Sequence, residues 1–197
     1  MKYIFPCHKK LLICMIVISC FGLLSGVWYG LQMNPDDVLL CQSLIQSNLC
    51  ISIDSFQYFL KVCLLEGFMV LFLFLSGFSI LGIPLILTVL FFCGFRFGLI
   101  GLMLLQMYQM QGILIVLVIL IPSACLKMGV EYAIAAVSMQ LSFSFIESCK
   151  GVKKNEILHC INSRCTSLIV CLGFVVIYGA YQSTIGLWMM HLFESGL

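Results

Sequence analysis

Five long apolar runs divide the chain, and its polar residues gather in the gaps between them. The first run, Leu11 to Leu31 (LLICMIVISCFGLLSGVWYGL), carries no charge. A helix that crosses a bilayer needs about 20 mostly apolar residues, so this run is long enough. Lys2, Lys9 and Lys10 precede it in the manner of a secretory signal. It exceeds the roughly 7–15 residues of such a signal's apolar core, and no small-x-small cleavage site follows, so it reads as a retained anchor helix. The second run spans Tyr58 to about Leu81. Gly82-Ile83-Pro84 then punctuates the chain, with proline in the first turn of a new helix, where its missing N–H costs nothing. The third run covers Pro84 to Leu105 and the polar link QMYQMQ (Gln106–Gln111) ends it. The fourth, Gly112 to Phe145, is too long for one straight crossing at about 1.5 Å per residue, and Pro122 inside it predicts a kink. The fifth runs from about Thr166 to Met190. The pattern predicts an all-α, polytopic membrane bundle of five transmembrane helices, forming a single domain over residues 1–197.

Composition excludes the soluble alternatives. The chain is 62% hydrophobic and only 9% charged, against about 25% charged in an average soluble domain. Ten Lys plus Arg and eight Asp plus Glu cannot cover the water-facing surface of a domain this size. Disorder needs the opposite composition. A net charge of +2 gives no basis for a nucleic-acid partner, so membrane lipid is the partner the composition implies.

The positions of the charges set an orientation. Lysine and arginine concentrate before the first span and in the Glu147–Arg164 stretch (Lys150, Lys153, Lys154, Arg164), and such segments stay cytoplasmic. The Gln32–Gln57 stretch holds Asp36, Asp37 and Asp54 with no lysine or arginine, as expected outside. Five spans satisfy both assignments, with a cytoplasmic N-terminus and an outer C-terminus. Trp28, Tyr29 and Trp188 then fall at the outer interface, where aromatic side chains collect.

Small residues predict how the helices pack. Gly22, Gly26 and Gly30 make one smooth stripe, and Gly94, Gly98 and Gly101 repeat the device in the third span. Such stripes let a second backbone approach closely. Packing inside the bundle is the first reading; a homodimer interface or a groove for a partner's helix is the other.

Four ionisable residues fall at mid-depth: Glu66, Arg96, Lys127 and Glu131. Each costs about 2.5–3.5 kcal/mol at a helix centre on insertion scales, so they are expected to turn inward and pair. Lys127 and Glu131 are four apart and share a face. Lys61 lies nearer the outer interface, can snorkel, and stands on a different face from Glu66. The cluster fixes helix register or forms an ion or proton pathway.

No catalytic, cofactor or metal motif is legible. There is no Walker A, G-x-G-x-x-G or H-E-x-x-H pattern and no G-x-S-x-G elbow. Of twelve cysteines, Cys14, Cys20, Cys63, Cys93, Cys125 and Cys171 sit within apolar runs, and no CxxC pair occurs. A free cysteine there behaves as a small hydrophobe. Cys149, His159, Cys160 and Cys165 match no standard zinc spacing. Cys41 and Cys50 share the outer loop as a disulfide or as two thiols.

The segment Gly77–Pro84 reads GFSILGIP and continues LILTVLFFCGFRFGLIGLMLLQMYQMQGILIVLVILIP to Pro122. This order is a Gly-x-Ser-x-x-Gly-x-Pro turn, a span carrying Gly94-x-x-x-Gly98, a Gln-Met link, and a Gly112 helix reaching Pro122. It resembles the stage II sporulation protein M family, five-span membrane proteins of about this length, over residues 67–125. That family carries polar amides after the equivalent of Pro122, where this chain has Ser123-Ala124. The resemblance implies a non-enzymatic anchor in the plasma membrane, at the sporulation septum and the engulfing membrane. It would act in engulfment of the forespore with stage II sporulation proteins D and P, which remodel peptidoglycan. The rival expectation is a small transporter or channel using the intramembrane charges, or a permease-like subunit coupled to an ATPase through Lys150–Lys154.

Overall fold

The computed structural model describes residues 9–34, 37–38, 55–79, 81–148 and 154–186. Among these the regular elements are all helices, with no strand: α1 (Lys9–Gln32), α2 (Ser55–Ser76), α3 (Gly82–Ile115), α4 (Ile121–Ser148) and α5 (Lys154–Tyr181). Single π-helical turns follow α3 (Val116–Leu120) and α5 (Gln182–Gly186). Five stretches are long and apolar enough to cross a membrane: Leu11–Gln32, Phe56–Ser76, Gly82–Tyr108, Gly112–Phe143 and Cys165–Thr184.

Side-chain contacts fix the course of the chain. Gly22 and Gly26 of α1 abut Phe91 and Phe95 of α3, while Gly94 and Gly98 of α3 abut Ser19 and Leu23 of α1. Residue numbers rise together along both helices, so α1 and α3 run parallel. α2, between them in sequence, runs the opposite way. Gly179, late in α5, lies against Cys63 and Phe59, early in α2, so those two are antiparallel. The start of α1, the α2–α3 turn and the end of α4 share one end of the bundle. The reversal after α3 and the close of α5 share the other.

That reversal falls at the polar link Gln106–Gln111, between the apolar stretches that end at Tyr108 and begin at Gly112. Helical backbone runs up to it on both sides. Yet a Cβ on Gly112 would stand 2.6 Å from the Leu104 carbonyl oxygen and 3.0 Å from the Leu105 Cα. In a straight helix, residues eight apart are about 12 Å apart. The chain therefore doubles back here, and Leu104 and Ile115 close a small apolar cluster with Ile100, Tyr108 and Leu120. The disturbance ahead of Pro122 is a wide turn: the N–H of Ile121 donates to Val116, five residues back. Pro122 has no N–H and its ring crowds the carbonyl four residues earlier, and a π turn relieves both problems. The polar stretch Glu147–Arg164 is likewise not a simple loop. α4 extends to Ser148 and α5 begins at Lys154, because helical hydrogen bonds are local and outlast the apolar side chains. The part of the fifth apolar run beyond Gly186 lies outside the described residues.

α4 is the central helix. Ile134 through Met139 are all buried, as are Leu141 and Ser142, and a helix buried all round belongs in a core. Leu73, Ile86, Leu90 and Ile134 meet there with no exposure. The outside of the bundle is apolar: Phe21, Trp28, Leu64, Phe68 and Ile169 are each at least 65% exposed. A continuous apolar exterior does not suit water.

Serines inside the spans are satisfied locally. Ser19, Ser25, Ser76 and Ser138 each donate to the carbonyl four residues back, at 2.7–3.0 Å. Ser142 differs. Its hydroxyl reaches the carbonyls of Gly77 and Ser79, both at 3.1 Å, just beyond the end of α2; the Ser79 carbonyl also accepts from the Gly82 N–H at 3.0 Å. The turn comes this close because Gly77 and Gly82 lack side chains. A Cβ on Gly77 would stand 2.7 Å from the Ser138 carbonyl oxygen, and one on Gly82 would strike the Ser76 carbonyl. The turn that precedes Gly82, and with it the first residue of α3, is thus bolted to α4, while Gly82–Pro84 forms the first turn of α3 rather than the link itself.

Candidate functional site

The four mid-depth ionisable residues come together where α2, α3 and α4 meet. Glu66 stands at the centre of the Phe56–Ser76 span and Lys127 near the centre of Gly112–Phe143. The Lys127 Nζ donates to Glu66 Oε1 at 2.5 Å and stands 3.8 Å from Glu131 Oε1. Arg96 approaches the same Glu66 oxygen at 4.0 Å. The order Arg96–Glu66–Lys127–Glu131 alternates in sign and sums to zero. The spacing within α4 brings Lys127 and Glu131 onto one face, but the closest pair joins α4 to α2.

Burial divides the four. Lys127 and Glu131 have side chains 4% and 3% exposed and Glu66 14%, whereas Arg96 is 61% exposed. Lys61 is exposed and belongs to no ion pair found among the described residues. The Cys93 thiol on α3 donates to Glu131 Oε1 at 3.3 Å. The other carboxylate oxygen, Oε2, is buried without a hydrogen-bond partner among the described residues. A cavity of about 10 Å³ adjoins the cluster, lined by Glu66, Lys127, Glu131, Val175 and Tyr178. It has room for about one water.

Sequence reasoning identified the charges but not the column to which they belong. Ser123, Lys127, Glu131, Ser138 and Ser142 are all buried, and their spacing places them along one side of α4. At the reversal end, the Gln182 amide donates to Tyr178 at 3.0 Å and to Ser123 at 3.3 Å. Ile134 and Ala135, both unexposed, interrupt the column between Glu131 and Ser138. The steps of four and seven residues were visible in the sequence; that this side faces inward was not. Cys93 gave no signal, since a cysteine in an apolar run is ordinarily a small hydrophobe.

The glycines Gly22, Gly26, Gly30, Gly94 and Gly98 form a single seam between α1 and α3, and Gly101 faces Leu120. A groove on Gly22–Gly30 for a partner's helix is therefore taken up by α3. No three potential metal ligands gather among the described residues. Cys41, Cys50, Cys149, His8, His191, Lys150, Lys153 and Trp188 lie outside the described residues, as do the side chains of Lys154, His159, Cys160 and Arg164. Among the described residues the fold and site define a bundle of five long helices, each with a stretch apolar enough to cross a membrane, around an ionic centre. The chain matches no family model, no curated protein and no solved structure.

Proposed function

We propose that the protein is a non-catalytic membrane anchor that holds peptidoglycan-remodelling partners in place during engulfment of a forespore. The observation that carries this reading is the paired, charge-neutral ionic centre. Three helices are tied together around a cavity with room for about one water, which suits a rigid bundle better than a conduit. The resemblance over residues 67–125 supplies the biological setting: the plasma membrane at the sporulation septum, with stage II sporulation proteins D and P as partners. The alternating path of the described helices brings the start of α1 and the end of α4 to one end, which is compatible with a cytoplasmic side for the lysine-bearing segments of the sequence. A photo-crosslinker at exposed Phe68 or Leu24, in the full chain within sporulating cells, tests the reading. Adducts with membrane-tethered wall hydrolases support it; adducts with lipid alone sink it.

One observation favours transport as a second reading: the buried polar column on α4, with charge at mid-depth. The Ile134–Ala135 layer breaks that column. Reconstituted vesicles decide between the two. A proton or solute flux abolished by Glu131→Gln, with the protein still folded, would replace the anchor with a transporter.

A further inference from the structure

Arg96 is the one member of the ionic centre that faces outward. It stands about 20 Å along the axis from either end of the Gly82–Tyr108 span, at roughly 1.5 Å per residue, which is beyond the reach of its side chain to either interface. Among the described residues its only ion-pair contact is 4.0 Å long and goes to an oxygen that Lys127 already holds at 2.5 Å. A guanidinium carries five N–H donors and no acceptor, so most of these donors are unanswered among the described residues. Exposed to hydrocarbon, this arrangement is costly. α2 and α3, although joined by a short turn, touch sparingly. Phe92, one turn before Arg96 on the same side of α3, is 59% exposed.

We infer that the open face between α2 and α3 is a docking site for a transmembrane helix of a different protein, one that presents a side-chain oxygen acceptor to Arg96 at mid-depth. The acceptor is a carboxamide or a carboxyl. The four charges already sum to zero, so a neutral carboxamide answers the guanidinium without unbalancing the cluster, and a carboxyl does so in its protonated form. A second copy of this chain fits poorly. Among its described residues the exposed carboxamides, Gln32, Asn34, Gln57 and Gln106, stand at or beyond span ends, and Glu66 and Glu131 are turned inward. The inference rests on the anchor reading and names the feature by which a partner is chosen.

Three synthetic helices of about 21 residues, built of leucine and alanine with lysine at both ends, serve as probes. They carry Gln, Glu or Leu at the centre. Association with the labelled full-length protein in phosphatidylcholine vesicles is read by energy transfer. The Gln and Glu helices are expected to associate about tenfold more strongly than the Leu helix, the scale of one polar contact between membrane helices. Arg96→Leu should erase the difference, while Lys61→Leu should leave it. The comparison of helices on the unaltered chain needs no variant to fold. Equal association of all three overturns the inference. So does a preference that survives Arg96→Leu, or transfer between copies of the chain that excludes every probe helix. Equal association with hydrolase crosslinks intact elsewhere sinks the docking site alone; lost crosslinks with the preference intact sink the anchor reading alone.

Discussion

Where α1 meets α3, glycines bring two backbones into contact. Where α2, α3 and α4 meet, four charged side chains occupy the space instead. Both regions lie within the apolar part of the bundle, and neither can be held by the hydrophobic effect, because lipid tails are as apolar as leucine. The seam gains dispersion contacts along its whole length, together with the Tyr29–Phe95 ring pair at 5.8 Å. The centre gains a few strong contacts that bind three helices at one depth. The seam is therefore sensitive to added volume, and the centre to the loss of any one partner.

The largest effect is expected at the centre. Lys127→Met leaves Glu66 and Glu131 without their shared cation, and removing one partner of a buried ion pair costs about 3–5 kcal/mol. Unfolding of the detergent-solubilised protein, followed by circular dichroism, should show that loss. The double variant Lys127→Met, Glu66→Gln should recover part of it. If the double is as unstable as the single, the ionic centre does not act as a paired unit.

Gly26→Leu follows. Even a Cβ there would strike the Phe95 carbonyl oxygen and stand 3.1 Å from the Leu99 nitrogen, and backbone atoms cannot yield as a side chain can. Overpacking costs about 1–3 kcal/mol, occasionally more, and the same unfolding experiment reads it. Wild-type stability would mean that α1 and α3 do not approach as described.

Ser142→Ala comes third. It removes the donor that serves the Gly77 and Ser79 carbonyls, for about 1 kcal/mol. Faster hydrogen exchange confined to the α2–α3 turn is the expected signature. Gly67→Ala should be smallest, within about 0.5 kcal/mol, since nothing lies within 4 Å of a Cβ at that position. A large loss there would show that glycine matters in these helices for some reason other than close approach.

Residue chemistry alone determined that the chain is helical and built of five long apolar segments, that Gly82–Pro84 opens a new helix and Pro122 marks a disturbance, and that four charges share one depth. Each of these is written in local order and in the energy of transfer from water, which act residue by residue. Three-dimensional packing decided the rest. It paired the two glycine stripes with each other rather than with a partner, because a glycine stripe advertises a close neighbour without naming it. It set Lys127 closest to Glu66, 61 positions away, rather than to Glu131 on its own helix. It also left Arg96 at the outer face while turning Glu131 inward. Rotation of a helix about its axis is fixed only by its neighbours, and in a chain apolar on nearly every side no hydrophobic stripe reports that rotation in advance.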